Sequence, residues 1–105
     1  MATRETEAQR AICDYLALKG YLFSRTNNQP IFDPTRKTFR ALPKYTRKGW
    51  PDICLIKAGK FYGIEVKSDV GKLSTEQLEL GREIILNGGV YIVARSITDV
   101  EDAGL

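Results

Sequence analysis

Apolar residues near the start of the chain recur every three or four positions, which is the spacing of one face of a helix. They fall between Arg4 and Lys19, and they are Ala8, Ala11, Ile12, Tyr15 and Leu16. Gly20 follows at once, and glycine is the residue that most often ends a helix. The pattern therefore predicts a first helix whose apolar face packs on a core.

A second helical pattern lies in the last third of the chain. Ser74 and Gln77 have the spacing of a capping box, in which each side chain bonds the backbone N–H of the other residue. The apolar positions that follow, before a stop at Gly88-Gly89, are Leu78, Ile84 and Ile85. We expect a second helix between Ser74 and the two glycines.

β-branched and aromatic residues dominate the remaining segments. Residues 52–56 and 61–67 are joined by Ala58-Gly59-Lys60 and predict a hairpin, while residues 21–26 and 90–94 predict two further strands. The pairs Ile31-Phe32 and Thr38-Phe39 predict a short hairpin or an ordered loop, and Thr98 to Ala103 forms either a short helix or a frayed tail. The order α-β-β-β-α-β indicates an α/β fold with a mixed sheet flanked by helices.

The size and composition of the chain fit one folded domain. It has 105 residues, of which 43% are hydrophobic and 28% charged. Its apolar stretches are far shorter than the roughly 20 residues that cross a bilayer, and its first residues lack the layout of a signal peptide. We expect a single domain over residues 1–105, no membrane association, and a cytoplasmic or nucleoid-associated location, in the host if a phage encodes the chain.

The residue types that are present restrict the possible chemistry. There is no histidine, which excludes Ser-His-Asp triads, Cys-His pairs and histidine-ligated zinc. Cys13 and Cys54 lie in apolar patterns, so we expect buried small side chains rather than a disulfide or a catalytic thiol. Hydrolysis by this chain would have to use carboxylates, lysine and a hard cation.

Acidic and basic side chains converge in the predicted hairpin. Alternate residues of a strand face the same side, so Glu65 and Lys67 share one surface. Asp52 begins the partner strand, and antiparallel pairing brings its carboxylate beside Glu65. Adjacent carboxylates repel unless a cation lies between them, and oxygen ligands suit Mg²⁺ or Mn²⁺. The alternative is a cross-strand salt bridge on an exposed sheet.

Such a metal site fits phosphodiester hydrolysis, because the ion would polarise a phosphoryl oxygen and activate water. Lys67 would then orient the water, accept its proton or stabilise charge in the transition state. The sequence leaves these three roles open.

A run of cations precedes the hairpin, and it contains no acidic residue. The cations are Arg36, Lys37, Arg40, Lys44, Arg47 and Lys48. The net charge of +3 by itself argues weakly for a polyanionic partner. Clustered cations, however, displace the counterions condensed on nucleic acid. We expect this basic segment to contact DNA phosphates, with a solvated loop as the alternative.

Three motifs carry a family resemblance: Gly49-Trp50-Pro51-Asp52, Ile64-Glu65-Val66-Lys67 and Leu73-Ser74-Thr75-Glu76-Gln77. Together they resemble the VRR-NUC family of the PD-(D/E)XK nuclease superfamily, and the resemblance runs over essentially the whole chain. It implies a restriction-endonuclease-like core and a magnesium- or manganese-dependent endonuclease. Stand-alone members resemble Holliday-junction resolvases, and the domain also occurs in the Fanconi-associated repair nuclease.

The resemblance also implies roles for single residues. Asp52, Glu65 and the Val66 carbonyl match the metal ligands of the family, Lys67 the catalytic lysine, and Gln77 the glutamine at the head of the second helix.

The family also uses a glutamate in the first helix, and here Glu5 and Glu7 compete for that role. Glu5 lies beside the core-facing stripe and is preferred. Gln9, one turn after Glu5, is expected to position water or phosphate at the same edge. For Glu5 and Gln9 the alternative is a surface residue that supports the start of the helix.

The expected function is cleavage of phosphodiester bonds in structured DNA, with branched DNA of the Holliday-junction type as the expected substrate. A homodimer is expected, because one site cuts one strand and two-fold pairing supplies the second. The alternatives are a nuclease for other DNA substrates, and a non-catalytic DNA-binding module that keeps the nuclease fold.

Overall fold

The computed structural model describes residues 4–26, 32–39 and 43–105. This part of the chain contains helices α1 (Arg4–Leu18), α2 (Thr75–Leu86) and α3 (Ile97–Asp102). Its strands are β1 (Leu22–Arg25), β2 (Phe32–Asp33), β3 (Thr38–Phe39), β4 (Ile53–Lys57), β5 (Lys60–Val66) and β6 (Val90–Ala94). In the described residues, no helix is long and apolar enough to span a bilayer.

Four of the strands form one mixed sheet in the order β1-β4-β5-β6. Strand β4 pairs antiparallel with both β1 and β5, and β5 pairs parallel with β6. Strands β2 and β3 form a separate antiparallel hairpin, inserted between β1 and β4. The predicted α/β fold with a mixed sheet is therefore confirmed, as is the short hairpin, although Ile31 lies outside the described residues.

The helices lie on both faces of this sheet. Ile53, Ile64 and Ile92 occupy facing positions in the register and pack in one core with α1 and α3. Tyr91 points to the opposite face, because successive residues of a strand alternate, and its ring lies against Gly81 of α2. Helix α2 thus covers the second face.

The direction of α1 decides which end of the sheet its first turn reaches. Tyr15, near the end of α1, donates a hydrogen bond to the Leu105 carbonyl, and Lys57, the last residue of β4, donates to the neighbouring Gly104 carbonyl. The end of α1 therefore lies beside the β4–β5 turn. Its beginning, with Glu5, lies at the other end, where β4 starts and β5 finishes.

The ends of the hairpin strands differ by one residue from the prediction. Asp52 immediately precedes β4 and Lys67 immediately follows β5. At the closed end, Lys57 pairs with Lys60 around a two-residue turn. Both turn residues have positive φ, 52° for Ala58 and 77° for Gly59, as a tight hairpin with right-handed strand twist requires.

The apolar positions of α2 do not show which of its faces is buried, and the expected burial of the two cysteines is wrong. Leu78 and Ile85 are 45% and 58% exposed, because α2 rests on the sheet with the stripe of Leu80, Gly81 and Ile84 instead. Cys13 and Cys54 are free thiols of intermediate exposure rather than buried residues.

The last residues of the chain are packed, which contradicts the frayed-tail alternative. Leu105 is 4% exposed within the core cluster. Its carbonyl accepts hydrogen bonds from the hydroxyls of Tyr15 and Tyr21 at 3.0 and 2.7 Å. This segment joins the end of α1 to α3.

We predict that Leu105→Ala lowers the free energy of unfolding by roughly 2–5 kcal/mol, because it removes buried methyl groups and leaves a cavity. Leu86→Ala is the matched control, since Leu86 is 83% exposed and should change stability by no more than about 0.5 kcal/mol. Denaturant titration followed by circular dichroism measures both. Equal effects of the two substitutions would contradict the packing of Leu105.

Candidate functional site

Asp52 is held at the open end of the hairpin by backbone contacts on both sides. Because Ile53 pairs with Ile64, the next position outward places Asp52 opposite Glu65. The Val66 N–H donates to Asp52 Oδ2 at 2.8 Å, and the Thr26 N–H donates to the Asp52 carbonyl at 2.9 Å. The carboxylate is therefore fixed against the end of β5.

The residues before Asp52 explain the Gly-x-Pro-Asp pattern physically. Gly49 has φ of 91°, and a Cβ there would lie 2.8 Å from the backbone carbon of Glu76, so only glycine allows this approach to α2. Pro51 is buried against Gly63, where a Cβ would lie 2.7 Å from the proline Cγ. These two contacts direct the chain into β4 with Asp52 at its start.

Glu65 is the buried acid of the site, with an exposed fraction of 2%. The side-chain amide of Gln77 donates to Glu65 Oε1 at 2.7 Å. In the capping box, the Gln77 Oε1 atom also accepts from the Ser74 N–H at 2.9 Å. Gln77 is thus a cap and a site residue at once. Glu65 Oε2 has no hydrogen-bond partner among the described residues.

The environment of Glu65 favours its protonated form. Burial, followed by the negative charge of Asp52, raises the pKa of Glu65 to about 8. The Lys67 ammonium opposes this shift in pKa, and its Nζ atom lies 3.9 Å from Glu65 Oε1. Lys67 is itself largely buried, with 13% of its side chain exposed. Two acids and one cation therefore share a poorly hydrated space.

The first turn of α1 brings Glu5 to this site. Glu5 is half-buried, and its charge also raises the pKa of Glu65, whereas Glu7 is exposed. Gln9 and Glu5 line one cavity of about 410 Å³ together with Arg4, Thr6 and Ser68. The geometry favours Glu5 over Glu7, and the role of Gln9 stays a prediction.

Two residues that the sequence analysis did not single out adjoin the site. Arg95, directly after β6, donates to the carbonyls of Ser68 and Gly71 and so fixes the loop behind Lys67. Tyr91 has a buried hydroxyl without a partner in the described part of the chain, and burial and the charges of Glu65 and Asp52 raise its pKa. Only the parallel pairing of β5 with β6 brings either one here, and no local motif marks them.

The basic segment is partly neutralised by α2. Arg47 forms an ion pair with Glu83, and Lys48 lies 3.8 Å from Glu76. Lys44 is exposed and lies over the ring of Tyr45. Arg36 and Lys37 are exposed in the turn of the β2–β3 hairpin, which is separate from the main sheet, and Arg40 lies outside the described residues.

The donor atoms at the open end fit a hard divalent cation. Asp52 and Glu65 supply carboxylate oxygens, one of which is buried and unpartnered within the described structure, and Mg²⁺ commonly binds one or two carboxylates and keeps several waters. A group of three or more acid, cysteine or histidine side chains placed to hold a metal is not found among the described residues. The site thus offers two acids, with Glu5 at its edge.

Comparisons with protein-family models, with curated proteins and with solved structures gave no match to this chain. The family suggested by the three motifs therefore stays a prediction.

The raised pKa of Glu65 predicts a pH-dependent stability in EDTA. The carboxyl of Glu65 has a pKa of about 8 in the folded chain, compared with an ordinary value of 4.5. Between these two pH values the folded state therefore binds more protons than the unfolded state. The resulting increase in the free energy of unfolding is complete below pH 4.5 and is lost as the pH rises toward 8. The melting temperature should fall across this range.

Glu65→Gln is the matched variant, because glutamine keeps an oxygen for the Gln77 amide and does not titrate. Without histidine in the chain, Glu65 should dominate the side-chain titration in this range. Calorimetry across the same pH range should give a flatter profile for the variant. Parallel profiles for both proteins would rule out a buried, proton-binding Glu65.

Proposed function

We propose that this chain is a metal-dependent endonuclease with a restriction-endonuclease-like core, and that it hydrolyses phosphodiester bonds in branched or otherwise structured DNA. The observation that carries the proposal is the buried Glu65 beside the half-buried Asp52, with Lys67 next to them. In a purely structural salt bridge, each acidic side chain would have its own cation. Here two acids meet one lysine, and a buried oxygen of Glu65 has no partner among the described residues.

The energetics of the pair favour a cation as its natural occupant. A buried carboxylate without full compensation is strongly unfavourable, and the two acids repel each other. Mg²⁺ or Mn²⁺ would be held by Asp52, Glu65 and the Val66 carbonyl, with Glu5 at the edge. When bound, the ion supplies Lewis acidity, polarising a phosphoryl oxygen and making a hydroxide nucleophile accessible near neutral pH.

The protein groups around the pair keep it preorganised. One oxygen of each acid accepts a hydrogen bond, Asp52 Oδ2 from the Val66 N–H and Glu65 Oε1 from the Gln77 amide. Each carboxylate is therefore locked in orientation before substrate arrives, which lowers the reorganisation needed for reaction.

Lys67 contributes a positive charge whose position is fixed from two sides. Its N–H donates to the Ala94 carbonyl at 3.0 Å, and Arg95 fixes the loop that follows it. The ammonium would stabilise negative charge that develops on the phosphoryl oxygens and orient the attacking water.

A homodimer is part of the proposal, because a two-strand cut needs two sites. Leu22 and Ile56 are paired neighbours in the sheet, and they are 70% and 52% exposed. Adjacent exposed apolar side chains are typical of interaction surfaces. They support pairing with a second copy through this face.

One observation favours a second candidate, a non-catalytic DNA-binding module. The described residues contain no cluster of three or more potential metal-ligating side chains, and a degenerate site would also lack one. The same metal titration separates the two functions, because the module would bind DNA without cutting it in any divalent cation.

We predict that the purified chain cleaves labelled DNA only when Mg²⁺ or Mn²⁺ is added, with four-way junctions preferred over linear, nicked and flap substrates. Glu65→Ala and Lys67→Ala should each reduce cleavage at least about 100-fold while much of the DNA affinity remains. Gel electrophoresis of the products measures cleavage. Lys60→Ala is the matched control, since this lysine lies at the far end of the hairpin. An inactive wild-type protein in both metals would overturn the proposal.

In the same assay, Glu5→Ala and Glu7→Ala form a matched pair within one helical turn. We expect Glu5→Ala to reduce cleavage by roughly 10- to 100-fold, which is the usual effect of removing a group that supports the direct ligands of a metal site. Glu7→Ala should leave cleavage unchanged. The opposite ranking would assign the site to Glu7.

We predict that light scattering of the chain bound to junction DNA gives the mass of a dimer. Leu22→Glu should shift this mass to that of a monomer, because a charge in a buried interface is strongly unfavourable. The residue is largely exposed within one chain, so the fold should persist. A wild-type protein that stays monomeric with junction bound would eliminate the homodimer.

A further inference from the structure

A polar groove runs along α1 from Glu5, which lies at the edge of the carboxylate pair. The cavity that Glu5 and Ser68 border shares Thr6 and Gln9 with a second cavity of about 240 Å³. The second cavity is lined by Thr6, Gln9, Arg10, Cys13, Asp14 and Arg25. The two cavities therefore adjoin, and the groove that they form begins at Glu5 and Ser68, beside the proposed cleavage site.

Both walls of the groove belong to regular structure. Thr6, Gln9, Arg10 and Cys13 follow each other at the spacing of one helical face. Arg25 is the last residue of β1, which is an edge strand of the sheet. It pairs with Ile53, the residue after Asp52, so the second wall also reaches the end of the sheet that carries the acids.

The arginines of the groove differ from those of the basic segment in their partners. Arg47 and Lys48 face Glu83 and Glu76 of α2. Within the described residues, neither Arg10 nor Arg25 forms an ion pair, and Arg4 at the mouth of the groove does not either. Asp14 also lines the groove. The lining therefore contains three cations and only two acids, Asp14 and the site residue Glu5.

We propose that this groove, through Arg10 and Arg25, binds the phosphates of the DNA strand that runs into the cleavage site. The inference rests on the proposed nuclease function and adds the path of the strand to it. DNA binds most favourably to cations that do not first have to break an ion pair within the protein. A single guanidinium group can also bind two phosphate oxygens at once. Arg10 and Arg25 are placed to bind phosphates, whereas Arg47 and Lys48 would first have to leave α2.

The first test measures DNA binding without cleavage. Fluorescence anisotropy with a labelled four-way junction in EDTA compares wild-type protein with Arg10→Gln/Arg25→Gln and with the control Arg47→Gln/Lys48→Gln. We expect the groove variant to bind about tenfold more weakly, and the slope of log affinity against log salt to shrink by about 2. The control should lose less than about threefold in affinity, because its cations are already paired.

The second test uses the unmodified chain. Cys13 lines the groove, whereas the Cys54 thiol accepts a hydrogen bond from Trp50 outside it. Burial raises the pKa of both thiols, so both should react slowly with a maleimide. We expect junction DNA to slow the alkylation of Cys13 severalfold and to leave that of Cys54 unchanged, as read by mass spectrometry.

The outcomes separate this inference from the nuclease function. If the wild-type chain cleaves DNA while the groove variant binds like wild type and Cys13 is not protected, the groove is overturned and the nuclease stands. If both groove signals appear but no metal supports cleavage, DNA binding by the groove stands and the nuclease function is overturned. A wild-type chain that binds no junction overturns both.

Discussion

The site depends on one electrostatic constraint, which is that Glu65 is buried beside a second acid. Burial and the charge of Asp52 both favour the protonated carboxyl, and only Lys67 works in the opposite direction. The amide of Gln77 and the N–H of Val66 fix the two acids without neutralising them. A structure that keeps such an unfavourable arrangement must hold it from several sides, and the divalent cation that we propose would provide the missing compensation.

The fold meets this requirement by bringing several segment ends together at one end of the sheet. Strand β4 begins there and β5 ends there, while α1 and α2 both direct their first turns to it, as the contributions of Glu5 and Gln77 demonstrate. Partial positive charge at the N-terminus of a helix favours negative charge near it, and two helix N-termini lie at the end of the sheet that carries the acids.

The cations before Gly49 and those of the groove have different partners. Arg47 and Lys48 lie against Glu83 and Glu76 of α2, and Gly49 is the residue that allows the close approach of the chain to the first turn of α2. The charges of Arg47 and Lys48 are therefore matched by acids of the same chain. The arginines along α1 and at the end of β1 form no ion pair within the described residues. A run of like charges in sequence thus did not indicate which cations are paired with acids of the chain.

The sequence by itself determined most of the elements and their order, and it left the β2–β3 hairpin and α3 open. Helical spacing predicted α1 and α2, β-rich runs predicted β4, β5 and β6, and the strand alternation of Glu65 and Lys67 placed these two residues on one face. It did not identify Tyr91, Arg95 or the Arg10–Arg25 groove, and the apolar positions Leu78 and Ile85 did not show which face of α2 is buried. The physical reason is range: capping, turns and periodicity act between residues close in the chain. The pairing of β5 with β6, the rotation of α2 and the approach of α1 to β1 depend on packing between distant segments, which only the tertiary structure decided.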